Sequence, residues 1–439
     1  MANTRLTKTF SSSGNRNKWT ISMWVKRSKV GATQTLFACH QNSNYKTRLE
    51  IASDDELYFN DEYNGNTNGR IVSNAKLRDT NAWYHIVGIW DKDNSTSGDK
   101  IRFYINGSRI TSFSDTGNAP SNASTLNTDS LTHEIGAENN GNKFDGVMSH
   151  IHFCDGYAYE PSNFGETDST TGAWKIITSP SVSYGTNGFF ILKDGNSVTD
   201  QSPNTNNWTI SGTLTKTEDC PSNVFATMNN LHNHYEGGTY AYGNNQITTG
   251  GSNKYTYNNS TLGMETGKYY AEFKWISGGT DILFGLTDRY TTSSTHELGQ
   301  YDTQYGYRTN GTVRNNNGNL SGVTVASWTT GDIIGVAYDA TNKKLYFSKN
   351  GTWQNSGDPT SGSTGTGAIS VSASPQDGLY YFSTSGYDDA SCVLQANFGN
   401  GYFGTTAVSS AGTNASNLGI FEYDVPTGYS ALCTKGLNE

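Results

Sequence analysis

Two-residue alternation is the strongest constraint this chain places on its own fold. WTISMWV (19–25) sets Trp19, Ile21, Met23 and Val25 on one face. KIRFYING (100–107) sets Ile101, Phe103 and Ile105 against Arg102 and Tyr104. YYAEFKWI (269–276) sets Tyr269, Ala271, Phe273 and Trp275 against Tyr270, Glu272 and Lys274. A period of two puts one face on a core and the other on solvent. No stretch keeps a 3.6-residue period over a dozen residues, and Gly-, Asn- and Asp-rich loops separate the alternating runs. That pattern predicts an all-β sandwich or barrel. Charged residues are only 16% and aromatics reach 12%. A disordered chain would show the reverse balance, so the polarity belongs to long loops.

At 439 residues the chain has the length of two or three domains, each able to bury its own core. Two hairpins mark two such cores. IVGIWDKDNSTSGDKIRFYING (86–107) and IIGVAYDATNKKLYFSKNGTW (333–353) share one layout. Each runs from an apolar strand through an Asp and a polar loop to an alternating strand and an Asn-Gly pair. Asn106-Gly107 and Asn350-Gly351 favour positive φ at both central turn positions, so each predicts a tight turn into a third strand.

The expected organisation is two antiparallel, jelly-roll-like β-sandwiches joined by a polar connector. The first spans 1–178. The connector is 179–232, on the strength of DGNSVTDQSPNTNN (194–207). The second sandwich is 233–403, and 404–439 is a loop insertion with a C-terminal docking segment, FEYDVPTGYSAL (421–432).

Net charge is −9 without a Lys/Arg cluster, so nucleic acid is not an expected partner. No apolar stretch is long enough to span a bilayer as a helix, and MANTRLTKTF lacks a secretory h-region. The five cysteines (Cys39, Cys154, Cys220, Cys392, Cys433) are scattered and odd in number. They predict buried free thiols and synthesis in a reducing cytoplasm.

The first block resembles a concanavalin A-like, laminin-G-type sandwich through WTISMWVKRSK (19–29), QTLFAC (34–39), 83–87, KIRFYING and HEIGAENNGNKFDGVMSHIHFCDG (133–156). The second resembles a SPRY domain through GKYYAEFKW (267–275), ILFGLTD (282–288), GYRTNGTV (306–313), 331–351 and VLQANFG (393–399). GTNGFFILKDGN (185–196), NNWTI (206–210), CPSNVFATMN (220–229), NFGNGYF (397–403) and VPTGYSAL (425–432) are similar to a two-module arrangement of phage virion proteins. Many of those carry an adaptor before the first module. Here about eighteen residues precede Trp19, which implies no long tail-attachment domain.

The same sandwich occurs in laminarinase-type enzymes, which place acids in E-x-D-x-x-E order. Retaining pairs need carboxyls about 5 Å apart. That motif is absent. Glu50, Asp54, Asp55, Glu56, Asp61 and Glu62 read as a solvated turn followed by a strand. Asp91, Asp93 and Ser95 imitate a calcium loop, but Thr96 and Arg102 occupy the positions that need Gly and Glu. Some laminin-G relatives hold calcium by loop carboxylates, so calcium stays a candidate ion; no other cofactor is expected. His133, His150 and His152 share one segment, and His85 would be the third ligand of a zinc site that no spacing supports. No nucleophile elbow or phosphate loop occurs. No catalytic, cofactor-binding or metal residue is therefore assigned, and the ligand-binding residues stay unknown. TQYGYRTNG (303–311) and HNHYEGGTYAYGNN (232–245) offer tyrosines either for sugar rings or for their own cores.

The resemblance implies a non-enzymatic protein on the outside of a phage particle, made in the host cytoplasm, as a fibre, spike or capsid decoration. It would bind host-surface glycans, contact other virion proteins and self-associate, without inserting into a membrane. A purely structural decoration protein and a polysaccharide depolymerase are the alternatives.

Overall fold

A computed structural model describes residues 4–438 apart from 118, 194–196, 232–237, 251–252, 289–292, 388 and 410. Among them, regular structure is β throughout except for four short 3-10 turns, as the alternation predicts. The chain forms two compact units, Met1–Lys216 and Thr217–Glu439.

The first unit packs an eight-stranded antiparallel sheet on a six-stranded one. The eight-stranded order is Phe113–Thr116, Asn66–Lys76, Glu56–Tyr63, Tyr45–Ile51, Gln34–Asn42, Thr132–Ile135, Arg5–Thr9, Thr209–Ser211. The six-stranded order is Phe189–Ile191, Gly146–Asp155, Lys18–Arg27, Tyr84–Asp91, Ile101–Ile105, Ser108–Arg109. Trp19, Ile21, Met23 and Val25 meet Phe37, Leu49, Phe59 and Trp90 in the core between them.

The alternation predicts solvent on the second face of the six-stranded sheet, and there the structure differs. Val87, Ile89, Tyr104 and Cys154 on that face pack under Phe164, Tyr184 and Phe190 in a separate apolar cluster. Lys18–Arg27 is consequently buried along nearly its whole length.

The segment 179–232 is more than a connector. Phe189–Ile191 pairs with Gly146–Asp155, and Thr209–Ser211 pairs with Arg5–Thr9. Trp208 lies in the first core. The turn-forming residues between them wrap a buried carboxylate. Asp200 accepts from the amides of Phe190 (2.8 Å), Ser202 (2.8 Å) and Asn206 (2.7 Å). Turn chemistry here folds the chain back onto its own sandwich instead of spacing two domains.

The second unit pairs a nine-stranded sheet with a six-stranded one around Phe273, Phe284, Val336, Phe347, Phe382 and Leu394. Lys268–Ser277 is central, flanked by Val393–Asn397 and Ile333–Asp339. The C-terminal segment lies on the outer face of the nine-stranded sheet. Phe421, Val425 and Tyr429 bury against Tyr270, Ala337 and Tyr346, and Ser430–Ala431 adds a parallel pairing to Lys268–Ser277.

The two hairpins fold alike. Asn106 and Gly107 have φ of 49° and 78°, and Asn350 and Gly351 have 48° and 78°. Asn106 Oδ1 accepts the amide of His85 at 2.8 Å, and Asn350 Oδ1 accepts that of Ile333 at 2.9 Å. The asparagine therefore sets the turn after the hairpin's second strand and also closes the start of its first.

Candidate functional site

The outer face of the first unit's eight-stranded sheet is built from the polar phase of the same alternation that fills its core. Leu49 and Ile51, Leu57 and Phe59, and Phe37 and Cys39 point inward. Arg48 therefore lies outward between Ala38 and Asn60, and Asn60 lies opposite Arg70. Lys46 lies between His40 and Glu62, and Glu134 lies opposite Ala38. Ala38 is the one small side chain in this row. It floors a depression of about 40 Å³ walled by His40, Thr132, Glu134 and Asn139. That volume suits a water or a single hydroxyl group.

Ion pairs run across the strands. Arg5 Nε lies 2.9 Å from Glu134 Oε1. Glu138 takes His40 Nδ1 at 3.2 Å and Arg48 Nη1 at 3.3 Å. Arg48 Nε is 3.4 Å from Glu50 Oε1, off the hydrogen-bond direction. Lys46 pairs with Glu62 at 3.4 Å, and Arg70 with Asp115 at 3.0 Å. Arg70 also lies 5.8 Å from the Tyr58 ring centroid. Four permanent cations (Arg5, Lys46, Arg48, Arg70) thus face five carboxylates (Glu50, Glu62, Asp115, Glu134, Glu138), a nearly balanced surface. Among the described residues five buried atoms of this face have no hydrogen-bond partner: the acceptors Glu50 Oε2 and Asn60 Oδ1, and the donors Arg5 Nε, Arg48 Nε and Arg70 Nε, of which the first two donors still lie within ion-pair distance of a carboxylate. Burial pushes the Glu50 carboxyl above its ordinary range, against the pull of Arg48 and with a push from Glu138. Such unpaired groups cost free energy until a donor or acceptor reaches them.

The acid-rich stretch is not the solvated loop expected. Asp54 stays exposed, but Asp55 is buried and accepts from Arg27 (3.0 Å), Arg78 (3.1 Å) and the Gly31 amide (2.9 Å). Burial opposes ionisation of Asp55, and these bonds outweigh it and hold the carboxyl low. Asp61 points into the sandwich, where burial raises it and Thr47, Asn68, Ser124 and the Thr125 amide satisfy it. Glu56 and Glu62 sit on the strand that follows, half-buried. Period-two alternation thus parts Asp61 from Glu50 and Glu62, on opposite faces of one sheet.

The histidines are parted too. His133 faces the core, where Nε2 accepts the Asn127 amide (2.9 Å) and Nδ1 donates to Leu131 O (3.1 Å). His85 and His152 lie under the outer cover of the six-stranded sheet. Trp174 Nε1 donates to His85 Nδ1 at 3.0 Å, and an indole N–H can only donate. His85 Nε2 therefore carries the proton and donates to Ser22 Oγ at 2.9 Å. That tautomer cannot act as a base toward Ser22. Burial lowers His85 to about 3 and His133 to about 4, and holds His152 well below its ordinary value. His150 sits at a bulge with φ of 47° and leaves the alternation.

Asp91 meets Lys18 at 3.3 Å and Asn94 at 3.3 Å, and Asp93 pairs with Lys92. Among the described residues no group of three or more His, Cys, Asp or Glu side chains could hold a metal ion, and no helix is long and apolar enough to cross a membrane. None of the five cysteines is in a disulfide; Cys39, Cys154, Cys392 and Cys433 are buried, and Cys220 is half-buried. Tyr305 and Tyr307 are core residues at 2% and 0% exposure, so 303–311 offers no tyrosine platform. Residues 232–237 of the other tyrosine-bearing stretch lie outside the described residues.

Sequence reasoning missed Arg5, Lys46, Arg48, Asn60, Arg70, Glu134 and Glu138 as a group. The available signal was their phase: KTRLE (46–50) and YFNDE (58–62) put both charge signs, not Ser and Thr, at the outward positions.

Residues 3–163 match the family described as the concanavalin A-like lectin/glucanases superfamily, and residues 268–379 match the SPRY domain family. The dual specificity protein kinase splA of Dictyostelium discoideum is 36% identical over 89 residues, which is 19% of this chain and 3% of that protein. The chain thus spans a very small part of that relative. The SPRY domain of human HERC1 aligns at 18% identity with a TM-score of 0.31, over 38% of this chain and 96% of that one. A Bacteroides ovatus protein described as a candidate carbohydrate-binding protein aligns at 17% identity with a TM-score of 0.36, over 50% of this chain and 59% of that one. The chain therefore carries a domain that matches the concanavalin A-like lectin/glucanases superfamily, followed by one that matches the SPRY domain family.

Proposed function

We propose that this chain is a non-enzymatic glycan-binding protein whose ligand lies across the outer face of the first unit's eight-stranded sheet. One observation carries this reading. Unpartnered acceptors, Glu50 Oε2 and Asn60 Oδ1, stand on the same face as an unpartnered donor, Arg70 Nε, amid nearly balanced charge. A sugar hydroxyl donates and accepts at once, so a row of hydroxyls answers both. A polyanion would meet five carboxylates, and an apolar partner would leave every one of these groups unpaired. The lectin-type family match of 3–163 supports the same ligand class. Catalysis is not part of the reading. Glu50 and Glu138 both lean on Arg48 instead of facing each other across a gap, and Ser22 lacks a basic partner.

Within this reading the protein sits on the outside of a phage particle as a fibre, spike or decoration component. It is made in the host cytoplasm, contacts other virion proteins, self-associates and binds host-surface glycans; nucleic acid and membrane insertion have no part in it. The ordered set of joining segments and the similarity to two-module virion proteins support this placement. The test is a glycan array probed with the full chain and with an Arg48→Ala, Arg70→Ala double variant. The reading expects retention of neutral glycans by the parent chain and their loss in the variant. Retention of sulfated or phosphorylated polymers alone would contradict it. Blocked phage adsorption by the purified protein supports the receptor role, and no effect at saturation leaves decoration. Release of new reducing ends from a polysaccharide would overturn the non-enzymatic assignment.

A further inference from the structure

The second unit holds a tyrosine at a left-handed position of the tight turn between Thr239–Ala241 and Gln246–Thr248, where the turn itself calls for Asn or Gly. Tyr242 has φ of 54°, and among the described residues no other Phe, Tyr or Trp adopts a left-handed backbone. A bulky side chain there costs free energy, and Asn or Gly would relieve it. Gly243 and Asn244 continue the turn with φ of 68° and 64°, positions where residues of that type are expected. Tyr242 is also 45% exposed, so core packing does not hold it in place. Strain kept at an exposed aromatic points to use.

The surroundings of this ring are polar and ordered. Register sets Lys274 opposite Gln395, and Gln395 opposite Gln246, on three adjacent strands. Phe273, Leu394 and Ile247 face the core, so this row lies on the other face of the sheet, where Gln246 is half-buried and Gln395 is 8% exposed beside Gly404. Gln395 Nε2 donates to Gln246 Oε1 at 2.6 Å, which ties the two amides together. Gly404 joins the row to the ring. Its φ of 59° favours glycine, and a Cβ there would lie 2.5 Å from Gln395 Nε2 and 3.4 Å from the Tyr242 ring, so residue 404 adjoins both groups.

We propose that Tyr242, Gln246 and Gln395 form a second glycan subsite, on the second unit, that takes a neutral hexose with its apolar face on the Tyr242 ring. Sugar C–H faces stack on aromatic rings, and paired amides offer one donor and one acceptor to adjacent hydroxyls. Each chain then holds two separate glycan sites, and binding to a polymer gains by linkage even where each site is weak. The subsite does not depend on the first unit's face.

The test titrates the full chain, its Tyr242→Asn variant and its Arg48→Ala, Arg70→Ala variant with cellohexaose, maltohexaose and mannohexaose by calorimetry. Tyr242→Asn removes the ring and relieves the backbone, so it keeps or raises the melting temperature. It is expected to weaken one class of sites by about tenfold or more. The double variant is expected to leave that class intact. Unchanged isotherms for Tyr242→Asn, or no binding of any of the three sugars, would overturn the proposal. Loss in Tyr242→Asn without loss in the double variant would uphold this subsite while removing the first unit's face as a glycan site.

Discussion

Both sandwiches cover the outer face of the sheet that holds the Asn-Gly hairpin, but they bury opposite acid–base groups beneath the cover. In the first unit the cover is apolar, Phe164 and Tyr184 among it, and it encloses His85 and His152 as neutral rings. In the second the cover is the C-terminal segment, held by one carboxylate. Glu272 is 0% exposed and accepts the amides of Glu422 (2.9 Å) and Tyr423 (2.9 Å), Asn397 Nδ2 (3.1 Å) and the Tyr270 hydroxyl (3.2 Å). Burial pushes Glu272 up to about 7 although each of those bonds pulls it down. One architecture thus responds to pH in two directions.

Acid gives the largest expected effect. His85, His133 and His152 have folded values below the unfolded 6.5, so between pH 6.5 and about 4 the unfolded state binds more protons. Stability of the first unit is then complete above pH 6.5 and falls as pH drops, by something on the order of 5 kcal/mol over the window. Glu272 has the reverse sign. Its folded value of about 7 exceeds the unfolded 4.5, so its contribution is complete below pH 4.5 and is lost as pH rises through 7. Amide protection factors, which take out the slower intrinsic exchange at lower pH, should therefore fall in strands 19–25 and 84–91 and rise in 421–431 from pH 7 to pH 5. Parallel changes in both units would break the contrast.

Glu272→Ala comes next. It strands the amides of Glu422 and Tyr423, at a cost of about 3 kcal/mol in the second unit, while Asn397 Nδ2 keeps Ile420 O as an acceptor. Glu272→Gln should remove the pH dependence of that unit while keeping its fold, as followed by denaturant melts at pH 5 and pH 7. A smaller effect should be shared by both units. Asn106→Ala and Asn350→Ala each replace a residue that tolerates the left-handed backbone by one that does not and lose a side-chain bond, for about 2 kcal/mol apiece. Equal shifts in chemical denaturation would confirm that the two turns do the same work. Arg70→Ala should change stability least, by under about 0.5 kcal/mol, because its pair with Asp115 is largely exposed.

The strands, the two hairpins and the positive φ of their asparagines were legible because each is written in a few adjacent residues. The face proposed to hold a glycan was not. Arg5, Arg48, Arg70 and Glu134 come from four strands far apart in sequence, and a one-residue slip of any strand would send its side chain inward. The second covered face of the six-stranded sheet was hidden for a similar reason. Alternation reports which residues share a face, not whether a later segment returns to cover it. Asp200 shows the limit of composition: SVTDQSPNTNN reads as spacer, yet one buried carboxylate gathers it into the first sandwich. Asp61 shows the limit of charge, since an acid in an acid-rich stretch was expected to be wet and is fully buried.

The central claim is that the balanced, incompletely paired face of the eight-stranded sheet holds a neutral glycan. Hydrogen exchange of the full chain with and without the neutral glycan best retained on an array tests it most directly. Protection should concentrate in residues 34–42, 45–51, 56–63 and 132–140, and vanish in the Arg48→Ala, Arg70→Ala variant. Protection confined to the second unit, or none in those strands at saturating sugar, would contradict it.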